Sequence, residues 1–235
     1  MIKRAKVLPI EFSGDIQYAR IKAIFNTYGD NAEIYIAEAN GEVTAVMGSA
    51  GGSGFTLCAK ETADFSELQS FFSFRGAEVF CDFRLADRFQ SKRRDVSVLE
   101  LCDFEKTEIS HSKISDVYKV LEYGNDGDIE LPEFSLWYTD FCLRFNHLAA
   151  EYACLENAAA VCGFMTDEQS LITGVAVMGG QRGKGLGKKA IMSLCTAIKE
   201  KYEGSRIFAA VSEDNLNFYL KCGFKKVDSA AILNF

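Results

Sequence analysis

The stretch V-A-V-M-G-G-Q-R-G-K-G-L-G, residues 175–187, places a glycine-rich turn between an apolar strand and a helix. Glycine adopts positive φ angles at low cost and lets a ligand approach the backbone closely. The helix begins near Gly185, and the N–H groups at a helix start lack helical partners and favour an anion. The stretch therefore predicts a site for a phosphorylated cofactor near residue 185.

Two familiar phosphate-binding patterns do not fit this turn. A Walker loop requires G-x-x-x-x-G-K-[ST], but Met178 stands at its first glycine position and Gly185 follows Lys184. The dinucleotide fingerprint requires G-x-G-x-x-G, whereas Gly183, Gly185 and Gly187 are spaced as G-x-G-x-G. A plain strand-to-helix turn without a ligand is the alternative that the loop alone leaves open.

The residues after the turn predict a strand–helix–strand unit followed by a short helix. A run from Ile207 to Val211 suits a buried strand. Asn215 and Tyr219 are four residues apart, so they face one side of a helix, and Gly223-Phe224 follows it. The first helix has an apolar stripe at helical spacing, made of Ala190, Ile191, Leu194, Cys195 and Ile198.

These two segments resemble two motifs of the GNAT N-acetyltransferase superfamily. Arg182, Gly185 and Gly187 match the pattern [R/Q]-x-x-G-x-[G/A] of motif A, and the run from Asn215 to Phe224 resembles motif B. The resemblance covers roughly residues 110–235, about half of the chain. It implies an α/β (α+β) GNAT fold, in which helices flank a mixed, mostly antiparallel sheet. The chain has Gly179 where many members have proline.

The resemblance also implies a role for each residue of the site. The backbone of Val175, Ala176 and Val177 would splay from the neighbouring strand and bind the acyl and pantetheine part of acetyl-CoA. Asn215 would contact the pantetheine arm, and Tyr219 would be the general acid that protonates the departing thiolate. The pyrophosphate would be bound, mostly through N–H groups, by Arg182, Gly183, Lys184, Gly185, Leu186, Gly187 and Lys188. A core position for Tyr219 and an N-cap for Asn215 are the alternatives.

The predicted activity is direct transfer of an acetyl group from acetyl-CoA to the primary amine of a small-molecule or peptide acceptor. A backbone N–H near Val177 would hold the oxyanion. Glu151, Glu156 and Glu213 are candidates for the base, although solvated surface carboxylates are their default interpretation. The alternative function is a non-catalytic acyl-CoA-binding regulatory module, and transfer of another acyl or aminoacyl group is a third interpretation.

Composition restricts the partners. The chain has 235 residues, a formal net charge of −7 and a pI near 5.0, which argues against nucleic-acid binding. Residues 182–206 are an exception, with seven Lys or Arg against two Glu, which suits a polyphosphate or a solvated helix face.

Cysteine usage and hydropathy indicate the compartment. The eight cysteines form no C-x-x-C pair and the chain has two histidines, so we expect reduced thiols and no metal site. No apolar run approaches membrane-spanning length, and no signal-like stretch follows Met1. These features predict a cytoplasmic monomer or homodimer without a membrane partner.

The N-terminal half is predicted to be a degenerate copy of the same fold. Residues 32–48 parallel residues 150–165, and residues 67–81 resemble the helix and strand at 190–211. The expected domains are 1–108, GNAT-like without a cofactor loop, and 109–235, which binds acetyl-CoA. Residues 48–54 are rich in glycine but lack flanking basic residues, so a hairpin turn is favoured there.

Periodicity and turn signals predict the remaining elements. In the first half they are helices at 15–28 and 65–74, a hairpin about Asn40-Gly41, and strands at 77–83 and 96–102. In the second half, helices at 114–121 and 133–145 are separated by a turn at 123–128. In the family these helices cover the acceptor site. Core packing is the alternative to a lining role for their aromatic residues, which are Trp137, Tyr138, Phe141 and Phe145.

Overall fold

The computed structural model describes residues 1–52, 54–124 and 131–235. The helices are α1 (Ile16–Tyr28), α2 (Phe65–Arg75), α3 (Phe83–Ala86), α4 (Ile114–Gly124), α5 (Phe134–Asn146), α6 (Leu186–Lys201) and α7 (Glu213–Lys221). The strands are β1 (Ile2–Arg4), β2 (Glu33–Ala39), β3 (Glu42–Ser49), β4 (Gly54–Ala59), β5 (Glu78–Asp82), β6 (Lys92–Leu101), β7 (Glu151–Leu155), β8 (Ala158–Met165), β9 (Gln169–Val177), β10 (Arg206–Val211) and β11 (Phe224–Asn234). Among these residues, no helix has the length and apolarity that a membrane crossing requires.

The chain divides into two compact units. The N-terminal unit comprises residues 1–98, 211–213 and 227–235, and the C-terminal unit comprises residues 99–210 and 214–226. The predicted division into domains 1–108 and 109–235 stays a prediction.

The N-terminal unit is built on strands in the order β1-β2-β3-β4-β5-β11. All neighbours are antiparallel except β4 and β5, which are parallel and are connected through α2. The β2–β3 hairpin turns at Asn40 and Gly41, whose φ angles are +53° and +82°, as a type I′ turn requires. Its core packs α2 against the sheet through residues such as Leu57, Leu68 and Phe72.

The C-terminal unit is built on strands in the order β10-β9-β8-β7. β7, β8 and β9 are antiparallel, whereas β10 is parallel to β9 and is connected to it through α6. The apolar stripe of α6 is buried, including Ile191, Leu194 and Ile198, which are each 0% exposed. A second group of buried residues, among them Val117, Leu121 and Phe141, packs α4 and α5 against β7 and β8.

The two units share one strand order. β2-β3-β4-β5 and β7-β8-β9-β10 are each antiparallel, antiparallel and parallel, with a helix inside each parallel connection. This shared order is the result that an internal repeat predicts. The predicted α+β fold, a mostly antiparallel sheet flanked by helices, is confirmed.

The structure differs from the sequence predictions at several elements. β1 and α3 were not predicted, and β6 begins at Lys92, whereas the predicted strand began at Val96. α4 continues through Tyr123 and Gly124, where a turn was predicted. The remainder of that predicted turn, 125–128, lies outside the described residues. β11, which has eleven residues, was not predicted.

Candidate functional site

β9 and β10 are paired over only part of their length. Gln169–Ile172 pairs with Arg206–Ala209, and β9 then continues for five residues to Val177. Within the described ranges, no strand pairs with this edge of β9 beyond Ile172. The backbone of Val175, Ala176 and Val177 therefore lies along an open strand edge.

A β-bulge lies where this pairing ends. The register between β8 and β9 shifts on both sides of Cys162, opposite Ile172. A Cβ atom on Gly163 would lie 2.7 Å from Oγ1 of Thr173, so a larger residue would displace the bulge. A bulge bends its strand and increases the local twist, which explains why β9 leaves β10 at this level.

The glycines of the turn after β9 are required by its backbone. Gly180, Gly183 and Gly185 have φ angles of +75°, +77° and +77°. Only glycine adopts this region without strain. Among the described residues, no heavy atom beyond the adjacent residues lies within 4 Å of a Cβ atom built on any of the three, which leaves space for a ligand.

The N-terminus of α6 has no side-chain cap and carries the wrong charges for an isolated helix. Its N-cap is Gly185, and its first turn contains Lys188 but no acidic residue. A cation at a helix N-terminus costs about 0.3–1 kcal/mol, and an anion there is stabilising. By contrast, α1, α2 and α3 are each capped by an aspartate, namely Asp15, Asp64 and Asp82. The start of α6 is therefore electrostatically suited to an anion.

Close packing joins α6, α7 and β9 at the turn. Gly187 is buried, and a Cβ atom on it would lie 3.0 Å from the ring of Phe218 and 3.3 Å from the side chain of Val177. The absence of a side chain on Gly187 thus lets α7 approach the end of β9. Phe218 was not predicted from the sequence. Its position next to Tyr219 is the signal from which this contact could have been predicted.

Tyr219 is buried on α7, with 7% of its surface exposed. Its ring packs edge-to-face against Phe218 and Phe224, with centroid distances of 5.2 and 5.4 Å. Burial, reinforced by the neighbouring Cys222 and Cys195 thiols, raises the pKa of Tyr219 well above its ordinary range. Its hydroxyl therefore stays protonated at neutral pH and can donate a hydrogen bond.

Asn215 is the third residue of α7, which begins at Glu213. The structure thus places Asn215 inside the helix and not at its N-cap. It lies one helical turn before Tyr219 and is half-buried.

The side chain of Arg182 is directed toward protein carbonyls. Its Nη2 donates to the carbonyl oxygen of Gly124 at 2.7 Å, and its Nε donates to that of Val177 at 3.3 Å. Lys184 Nζ donates to the side-chain oxygen of Gln181 at 2.7 Å. These hydrogen bonds stabilise the conformation of the turn. The contact with Gly124 was not predicted from the sequence.

The three candidate bases occupy different surroundings. Glu156 is exposed in the β7–β8 turn, and Glu213 is exposed at the start of α7. Glu151 is 0% exposed, and its carboxylate lies 2.6 Å from Lys201 Nζ and 3.4 Å from His111 Nε2. Glu151 pairs with Cys162 on β8, which pairs with Ile172 on β9. Ile172 lies five residues before Val177, so Glu151 is displaced from Val177 by about 17 Å along the strand direction. These contacts favour a structural role for Glu151.

We expect Glu151→Ala to lower the free energy of unfolding by about 3 kcal/mol, because it leaves Lys201 without its buried partner. Urea denaturation measures this change, and Glu156→Ala, an exposed match, should stay within about 0.5 kcal/mol of wild type. Unchanged stability with loss of turnover would instead make Glu151 the base.

The predicted acceptor-side aromatics divide between core and surface. Phe141 is buried, and Trp137 stacks on it at 5.0 Å with an interplanar angle of 4°. Phe145 packs on Tyr152, and Tyr138 is 40% exposed on α5. Phe141 is therefore a core residue, whereas Tyr138 is partly exposed to solvent.

The described residues contain no group of three or more His, Cys, Asp or Glu side chains placed to hold a metal ion. The eight cysteines, all within the described residues, are free thiols.

Comparison with known proteins identifies the family of the C-terminal half. Residues 115–224 match the model of the acetyltransferase (GNAT) family, a range that contains the turn, α6 and α7. No curated protein matches the chain by sequence.

Solved structures show the same fold over the whole chain. A GNAT-family acetyltransferase from Colwellia psychrerythraea is 13% identical, with a TM-score of 0.55 over 100% of this chain and 99% of that one. A tandem GNAT protein from the clavulanic acid biosynthesis pathway is 10% identical, with a TM-score of 0.57 over 100% and 98%.

A GCN5-related N-acetyltransferase from Kribbella flavida is 11% identical, with a TM-score of 0.58 over 93% of this chain and 94% of that one. At these identities the likeness shows the fold alone, and the family match supports acyl transfer in general. The chain therefore carries a domain of the GNAT acetyltransferase family at residues 115–224, which supports its assignment as an acyltransferase.

Proposed function

We propose that the C-terminal unit binds acetyl-CoA and transfers its acetyl group directly to a primary amine of a small-molecule or peptide acceptor. The observation that carries this proposal is the start of α6, which lacks a side-chain cap, bears Lys188 and lies beside the open edge of β9. A polyphosphate would complement the uncapped, positively charged start of α6, and an extended pantetheine arm would pair with the open edge of β9.

The pyrophosphate would be held by the turn and the first turn of α6. The N–H groups from Gly183 to Lys188 would bind it, because Gly183 and Gly185 adopt positive φ angles that turn the chain into the start of α6. Lys184 and Lys188 add positive charge at the exposed rim. The guanidinium of Arg182 donates to the carbonyls of Gly124 and Val177, so it would act on the phosphates less directly.

The acyl end would lie along the backbone of Val175, Ala176 and Val177. A strand edge without a partner offers N–H and C=O groups to an amide-containing arm and to the acetyl carbonyl. Met178 N–H already donates to Asn157 O at 2.9 Å, so the oxyanion donor is expected at Val175 or Val177. Asn215 would contact the pantetheine arm from α7.

Tyr219 would assist departure of the thiolate. Acetyl-CoA supplies a thioester whose C–S bond breaks as the amine nitrogen bonds to the carbonyl carbon. The Tyr219 hydroxyl, kept neutral by burial, would donate its proton toward the leaving sulfur. The amine proton would pass to water or to a base.

The proposal assigns one cofactor site to each chain. In the N-terminal unit, the helix equivalent to α6 is α2, and its first turn is occupied by the chain's own carboxylates. Asp64 accepts from the N–H of Glu67 at 3.0 Å, and Glu67 itself binds the N-terminal amine of Met1 at 2.9 Å. An anion would be repelled there.

Titration with coenzyme A and acetyl-CoA in a calorimeter tests the binding half of the proposal, and one site per chain is expected. Thiol release from acetyl-CoA with a panel of amines and amine-bearing peptides tests the transfer half. Tight binding without thiol release across the panel would favour the alternative, a non-catalytic acyl-CoA-binding regulatory module. Absence of binding would contradict both.

The cellular setting is proposed on the same footing. Eight free thiols suit a reducing cytoplasm, and burial raises the pKa of six of them (Cys58, Cys81, Cys154, Cys162, Cys195 and Cys222). We propose a monomer or homodimer with neither nucleic acid nor membrane as a partner, and a domain boundary between residues 108 and 109.

A further inference from the structure

Three backbone segments of the C-terminal unit meet at the Arg182 side chain. The residue belongs to the glycine turn, its Nη2 binds the carbonyl of Gly124, and its Nε binds that of Val177. Gly124 is the last residue of α4, and Val177 is the last residue of β9. One guanidinium therefore connects the turn, the end of a helix and the end of the open strand.

α4 and β9 are in close backbone contact at Gly124. Gly124 is buried, and a Cβ atom on it would lie 2.9 Å from the carbonyl carbon of Val177 and 3.2 Å from the nitrogen of Met178. Any side chain at 124 would push α4 away from β9. A carbonyl oxygen near the C-terminal end of a helix carries partial negative charge, so a cation is a suitable donor to it.

We propose that Arg182 is a positioning residue that couples occupancy of the cofactor turn to the last turn of α4. This inference rests on the proposed function, since the ligand of the turn is taken to be coenzyme A. An anion held by the turn fixes its backbone and hence the guanidinium, which then holds the carbonyl of Gly124 in place. Cofactor binding would thereby order the end of α4, on the side where the acceptor is expected.

Arg182 could act by positioning α4 or by binding phosphate, and the two roles predict different results. If Arg182 acts by position, its loss leaves the affinity for coenzyme A nearly intact and uncouples α4. If it binds phosphate, its loss weakens coenzyme A but not pantetheine, which has no pyrophosphate. Gly124→Ala disturbs the same junction without removing a charge, so it should reproduce the first result.

Hydrogen exchange of residues 114–124, with and without saturating coenzyme A, tests the coupling in the full-length chain. Wild type should gain protection at the end of α4 on binding. Arg182→Gln and Gly124→Ala should bind coenzyme A within about 3-fold of wild type and lose most of that gain, and the double variant should be no worse than either. Arg206→Gln, which removes an exposed charge paired with Glu100, should behave as wild type.

Two results would overturn the inference while the proposed function stands. One is a 10-fold or greater loss of coenzyme A affinity in Arg182→Gln with pantetheine binding unchanged. The other is full protection of residues 114–124 in both junction variants. If wild type itself binds no coenzyme A, the proposed function fails and the coupling fails with it. Thermal melting of each variant establishes that it is folded.

Discussion

Tyr219→Phe is expected to lower the rate of acetyl transfer at saturating acceptor by at least about 10-fold, since acid–base groups typically contribute 100-fold or more. The variant removes only the hydroxyl that would donate to the leaving sulfur. Its ring contacts with Phe218 and Phe224 are retained, so the free energy of unfolding should change little. Steady-state turnover with acetyl-CoA, together with urea denaturation, measures both quantities.

The pH dependence of turnover gives a second readout of the same residue. Burial raises the pKa of Tyr219, so the hydroxyl stays protonated as the pH rises through 8 to 10. No loss of activity in that range should come from its ionisation, and the loss of rate in Tyr219→Phe should be the same throughout. Any alkaline fall must belong to another group.

Tyr152→Phe is the matched control, because Tyr152 is also 7% exposed in the same unit. Its hydroxyl donates to the carbonyl of Ser112 at 2.8 Å, so the control should lose stability of about 1 kcal/mol and keep its turnover. Equal rates for wild type and Tyr219→Phe would remove Tyr219 from the mechanism.

Gly185→Ala is expected to weaken coenzyme A binding by at least about 10-fold, equivalent to about 1.4 kcal/mol. The φ angle of +77° costs a residue with a Cβ atom about 1–2 kcal/mol, and the methyl group would enter the open space before the first turn of α6. Both effects act on the proposed anion site. Calorimetric titration measures the change.

Gly41→Ala is the control that separates the effect of backbone strain on stability from an effect on the proposed anion site. Gly41 has a φ angle of +82° and equally open surroundings, but it lies in the β2–β3 hairpin of the N-terminal unit. The two variants should lose similar stability, and only Gly185→Ala should lose affinity. Similar losses of affinity in both would mean that general destabilisation, and not the turn, controls binding.

Local signals in the sequence were sufficient for the parts of the fold that depend on neighbouring residues. The Asn40-Gly41 turn, the apolar stripe of α6 and the glycine turn after β9 each follow from a spacing of a few residues. Val177 and Gly187 were predicted as site residues by motif resemblance, and the structure adds that Gly187 lies close to the side chains of both Val177 and Phe218.

Features that depend on distant pairing could not be predicted in this way. The bond from Arg182 to Gly124 joins residues 58 positions apart, and no periodicity relates them. β11 was missed because its first half is polar and its second half pairs with β5, about 150 residues earlier, as in Ala230 with Asp82. The bulge at Gly163 and Thr173 likewise arises from the register of two strands.

The most direct test of the account is a crystal structure of the chain with acetyl-CoA. One molecule per chain is expected, with pyrophosphate oxygens about 2.7–3.2 Å from backbone nitrogens between Gly183 and Lys188 and the thioester beside Val175–Val177. A molecule bound elsewhere on the chain, or a turn left empty at saturating acetyl-CoA, would contradict it.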